Sequence, residues 1–201
     1  MKIFLSIFHV GLLVSACSTL DATTPTPTPV QLRDLPHTTA TQACIPAEPT
    51  QSDIERVRSF AQAVMEPEAW QQSTATSEGY VAVTWQNIPL SALIHLEARI
   101  KPCGYTDADL DADFSDENWG LILRNYGSHE LGAACRTGDG LRLYQFKAQN
   151  QGIAYSIKYW VRSDTRYRVI TAMFVFPSGS ESVLEGYAAR LFPDLTSCSR
   201  E

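Results

Sequence analysis

Between Leu141 and Phe176 three runs of residues are separated by two short breaks rich in turn formers. No other stretch restricts the fold as strongly. In the middle run Ile153, Tyr155, Ile157, Tyr159 and Val161 fall on one face, and Ala154, Ser156, Lys158, Trp160 and Arg162 on the other. Period-2 alternation with β-branched and aromatic residues specifies a strand. Gln149–Gly152 and Ser163–Thr165 are predicted turns. Leu141–Ala148, Ile153–Arg162 and Arg168–Phe176 then form an antiparallel meander. The third run is apolar on both faces, so it is expected to be the best buried.

The rest of the domain supplies helices. Ile54, Val57, Ala61 and Val64 make an apolar stripe beside Met65, with Ser52 and Glu55 as a capping box and Pro67 as the stop. Gln71–Ser77 is polar and predicted as a loop, and Gly79–Trp85 as a strand. Leu90–Ile100 fits either period; its Ala, Leu, Glu and Arg content favours a helix. Ser115 is the expected cap of a helix carrying Trp119, Ile122, Leu123 and Tyr126, and His129–Cys135 a short strand. A last helix, capped by Ser178 with Glu181, presents Val183, Leu184, Tyr187 and Leu191 and stops at Pro193. The expected class is α+β, a mainly antiparallel sheet packed by helices near both ends and in the middle. This order of elements resembles the α/β/α sandwich of the PsbP-type group. That likeness implies an accessory or binding role, since most members of the group act so. A cone-shaped cystatin-like fold, or one like nuclear transport factor, is the alternative architecture.

The first residues read as an address. Lys2 precedes the apolar run Ile3–Val14, which is shorter than the roughly twenty residues a bilayer span needs. The run closes on Leu13-Val14-Ser15-Ala16-Cys17, which resembles the lipobox of bacterial lipoproteins. The resemblance implies cleavage before Cys17 and acylation of its thiol. Residues 1–16 are then a signal peptide and residues 17–43 a lipidated tether. Within the tether, Thr23–Pro29 alternates proline with threonine, a composition that favours extended polyproline II. Residues 44–201 form the single folded domain. The implied protein is a membrane-attached, extracytoplasmic binding or accessory lipoprotein without catalytic activity or cofactor. Its expected partners are the membrane, through the anchor, and an envelope protein or anionic glycan.

Cys44, Cys103, Cys135 and Cys198 remain after Cys17, and an even number outside the cytoplasm implies two disulfides. Closure of the domain favours a nested pairing, Cys44 with Cys198 and Cys103 with Cys135. The sequential pairing, Cys44 with Cys103 and Cys135 with Cys198, is the rival. A formal charge of −6 argues against nucleic acid as a partner.

Three groups of residues could carry further function. Asp107, Asp109, Asp111 and Asp113 alternate like the ligands of a calcium loop, although Ala112 stands where that loop requires glycine. A solvated acidic loop is the plainer expectation. Arg142, Lys147, Lys158, Arg162, Arg166 and Arg168 make the meander basic, with Asp164 the one acid. Lys158, Trp160 and Arg162 share a strand face and form a candidate contact patch. His95 or His129 could join a carboxylate in a small envelope hydrolase, and Glu97 shares a face with His95 only if that segment is a strand.

Overall fold

The structure, a computed structural model, describes residues 49–62 and 65–198. The signal peptide, Cys17, the tether and Cys44 lie outside the described residues.

The meander organises one sheet. Its strands are β5 (Arg142–Asn150), β6 (Ile153–Thr165) and β7 (Arg168–Pro177), paired antiparallel in sequence. Gln151 and Gly152 both adopt positive φ, the requirement of a tight two-residue hairpin turn. The β6–β7 turn falls at Arg166-Tyr167, three residues beyond the expected break, because β6 runs on to Thr165. β1 (Gln71–Ser77), β2 (Tyr80–Asn87), β3 (Ala92–Ile100) and β4 (Ser128–Arg136) complete a seven-stranded antiparallel sheet of order β1-β2-β3-β7-β6-β5-β4. β7 is therefore central, as its two apolar faces require.

Helices cover both faces. α1 (Gln51–Gln62) and α4 (Glu181–Leu191) lie on one side, where Val57, Leu184, Tyr187 and Ala188 join Val83, Leu96, Trp160 and Phe174 in one core. α2 (Asp107–Asp113) and α3 (Asp116–Ile122) lie on the other. There Leu110, Trp119 and Leu123 pack on Phe146, Ile157, Tyr159 and Val175. The result is an α+β fold of three layers, with helices near both ends of the domain and in the middle.

Several expectations are corrected. The capping box of α1 sits two residues early: Thr50 Oγ1 accepts from the Asp53 N–H, and the Thr50 N–H donates to Asp53 Oδ2 at 2.7 Å. The same Thr-x-x-acid pattern fits there, and Arg168 fixes Asp53 with two bonds at 3.0 and 2.9 Å. Gln71–Ser77 is a strand, not a loop. All seven of its residues are exposed, so neither face left an apolar signature. Leu90–Ile100 is a strand, not a helix. Between β2 and β7 its Ala92, Ile94, Leu96 and Ala98 are buried in strict alternation, and that pairing outweighs helix propensity. The acidic segment is likewise a helix, begun by a capping box of Thr106 and Asp109.

Candidate functional site

The corrected state of β3 creates the one cluster of catalytic-type side chains that the sequence anticipated conditionally. A strand puts Leu93, His95, Glu97 and Arg99 on one face, the face opposite the buried Ile94 and Leu96. The register sets His95 beside Thr84 of β2 and Met173 of β7. Thr84 in turn faces Ser73 of β1. The α2–α3 apolar cluster reaches no farther across this face than Leu93 and Met173. Beyond them the sheet presents polar groups.

His95 Nδ1 lies 2.8 Å from Thr84 Oγ1 in a hydrogen bond whose donor depends on the imidazole tautomer. His95 Nε2 stands 3.7 Å from Glu97 Oε2, an electrostatic contact rather than a hydrogen bond. Arg99 donates to Glu97 Oε1 from Nε at 2.9 Å. The Glu97 side chain is only 15% exposed and that of His95 29%. Burial raises the Glu97 carboxyl, but His95 and the Arg99 guanidinium beside it more than reverse this and hold it below the usual carboxylate range. The neighbouring Tyr159 hydroxyl is pushed up to about 12, chiefly by burial. The site thus holds a lasting carboxylate, an imidazole and a hydroxyl in one string, the components of general acid–base or nucleophilic chemistry. Thr84 and Arg99 carried no motif. Cross-strand pairing identifies Thr84, and alternation along β3 identifies Arg99.

His129 is placed differently. It sits on β4, half-buried against the edge of Phe146. Glu130, its neighbour in sequence, faces the other side of the strand. β5, β6 and β7 stand between β4 and β3, so about 19 Å separates the two histidine strands. The two do not form one centre.

The acidic residues do not converge either. Helical geometry turns alternate residues about 200° apart, so Asp107 and Asp111 fall on one face of α2 and Asp109 and Asp113 on the other, and the four carboxylates cannot meet round one ion. Asp109 caps its own helix. Asp111 takes the buried Arg142 at 2.7 Å, and Asp113 accepts from the Tyr105 hydroxyl. Among the described residues no three His, Cys, Asp or Glu side chains are grouped to hold a metal ion.

The candidate patch of Lys158, Trp160 and Arg162 is overturned as a continuous surface. α4 and the chain after it pack on this face. Trp160 is 1% exposed; it stacks on Phe192 at 4.5 Å and donates from Nε1 to the Leu195 carbonyl at 2.8 Å. Lys158 is buried and donates to Glu185 and the Thr196 carbonyl. Arg162 alone of the three is exposed, 3.3 Å from Asp139. Beside it, a cavity of about 220 Å³ between α1 and α4 has Trp160 and Phe192 on its floor and Arg56, Arg162 and Asp164 at its rim. A larger groove, about 960 Å³, follows β4 past Gly132, Ala134 and Lys147 to Ser197.

The nested disulfide pairing is also corrected. Cys135 bonds Cys198, with Cα atoms 5.5 Å apart. β4 lies next to β5, and the chain after α4 crosses that edge, so Cys198 meets Cys135. Cys103 is disulfide-bonded too.

Comparison with protein-family models, curated proteins and solved structures finds no match for this chain.

Proposed function

We propose that this protein is a lipoprotein held outside the cytoplasm by an acylated Cys17, and that its folded domain acts as a binding or accessory module. The observation that carries the proposal is Leu13-Val14-Ser15-Ala16-Cys17 at the end of a short apolar run, followed by a proline- and threonine-rich stretch. The Cys135–Cys198 bond and the bonded Cys103 support it, because such bonds persist in oxidising compartments. Two acyl chains hold a protein at a bilayer stably where one does not. The contact surface moves from the packed Lys158–Trp160 face to the polar half of the sheet, where Ser73, Thr84, His95 and Arg99 are exposed or half-buried. Hydrogen-bonding and charged groups there suit an envelope protein or an anionic glycan.

Palmitate labelling in a bacterial host tests the anchor. Incorporation is expected for the wild type and its loss for Cys17→Ser, with mass spectrometry showing residues 1–16 removed. An unmodified Cys17 in the secreted protein would refute the proposal. The Thr84–His95–Glu97 string favours a second reading, a small envelope hydrolase. Its mark would be ester hydrolysis by the wild type that His95→Ala abolishes while the melting temperature is kept.

A further inference from the structure

The two ends of the sheet are built differently. β4 is interrupted by a register shift between Leu131 and Ala133, carries Glu130 and Arg136, and is clamped by the Cys135 disulfide. These are the devices by which proteins keep an edge strand from pairing further. β1 has none of them. Gln71–Ser77 contains no charge and no proline, pairs with β2 in unbroken register, and is exposed throughout.

Its free hydrogen-bonding groups can be assigned. Glu78-Gly79 is a two-residue turn, so Ser77 and Tyr80 form a hydrogen-bonded pair. Alternation then turns Ser73, Ala75 and Ser77 toward β2, and the N–H and C=O groups of Gln72, Thr74 and Thr76 outward. The bond from the Ile100 N–H to the Gly79 carbonyl, on the far side of β2, agrees with this phase.

A charge stands above the middle of that edge. Arg58 of α1 reaches Thr74 Oγ1 at a long 3.4 Å, and its buried Nε has no hydrogen-bond partner. Arg56 on the same helix is paired with Asp164, whereas Arg58 forms no ion pair among the described residues. A half-buried guanidinium with unused donors is costly unless a carboxylate takes them. Acids flank the centre: Glu78 is in the turn, and Glu66 shares a small cavity with Gln72 at the other end.

We propose that the outer edge of β1 receives an extended peptide segment as an added strand, whose residue opposite Thr74 carries a carboxylate that Arg58 binds. Residues directly opposite share a face with Cβ atoms about 5 Å apart, within reach of that guanidinium. The flanking residues of the segment are not acidic, since Glu66 and Glu78 repel further acids. This gives a chemistry to the partner of the binding domain and rests on that reading of the domain, but not on the acylation of Cys17, which the labelling experiment tests separately.

The test titrates the full chain with the capped peptide Thr-Val-Thr-Glu-Thr-Val-Thr and with its twin in which Gln replaces Glu. The Glu peptide is expected to bind at least about tenfold more tightly, a difference of about 1.4 kcal/mol. Amide shifts of isotope-labelled protein should concentrate on Gln71–Ser77. Arg58→Gln should erase the preference. Thr74→Pro should weaken both peptides without disturbing the β2 ladder, because the lost N–H faces outward. Equal binding of the two peptides, no binding of either, shifts centred away from β1, or a preference surviving Arg58→Gln would each overturn the proposal. If a variant does not fold, the wild-type comparison and its shift map decide the matter.

Discussion

Trp160 offers the sharpest test of how the C-terminal segment is held. Its ring is 1% exposed, stacked on Phe192 with planes 10° apart and tilted against Phe174 at a centroid distance of 4.7 Å. Its Nε1–H satisfies the Leu195 carbonyl. Trp160→Ala removes a large side chain from a site walled by sheet and helix, where collapse is limited. Such truncations cost about 3–5 kcal/mol. For a domain of this size each kcal/mol lowers the midpoint by about 2–4 °C, so a fall of roughly 6–20 °C is expected. Trp160→Phe keeps much of the stacking but leaves the Leu195 carbonyl without its donor, and about 1–3 kcal/mol of the loss should persist. Thermal unfolding followed by circular dichroism, with urea titration to fix the slope, measures both variants. A fall of less than about 1 kcal/mol for Trp160→Ala would refute the assignment of this residue to the core.

The double variant Cys135→Ala/Cys198→Ala opens a loop with a sequence separation of 63, worth roughly 4 kcal/mol in the chain-entropy treatment. Chemical denaturation should show most of that loss, and a stability within about 1 kcal/mol of wild type would mean that the buried Lys158 and Trp160 contacts already hold the tail. Asp53 sits near pH 2 rather than 3.8, first because Arg168 hydrogen-bonds its carboxylate. A depressed folded pKa adds stability that is complete above the unfolded value and lost as the pH falls. The difference in melting temperature between wild type and Asp53→Asn should therefore be constant above about pH 5 and close as pH falls from 3.8 toward 2; a difference unchanged across that window would show that the Arg168 pair contributes nothing.

The meander was legible because both determinants of a strand are local there. Alternation runs along β6, and Gln151-Gly152 accepts the positive φ of a tight turn. The amphipathic helices at Trp119 and Leu184 were legible for the same reason. β1 was not, because a strand exposed on both faces needs no apolar residue. β3 has a helical composition while its neighbours are strands, so its own residues point to the wrong state. A helical reading separates His95 from Glu97, which share a face only in the extended state, so the catalytic-type string stays conditional until β3 is placed. Trp160 shows the reverse limit. Alternation places it on the right face of β6 but does not tell whether a helix covers that face.

Local pattern along the chain sets the class of the domain, the existence of an antiparallel sheet with helices between and around its strands, and the apolar face of each amphipathic element. These follow from period, turn chemistry and propensity over a few residues. Long-range packing settles which strands end the sheet, which cysteine meets Cys135, and which charges are buried or left over. Trp160 went to the core because α4 and Leu195 settle upon it. Arg58 kept free donors because no acid among the described residues reaches it over β1. Both outcomes depend on which remote segments come together.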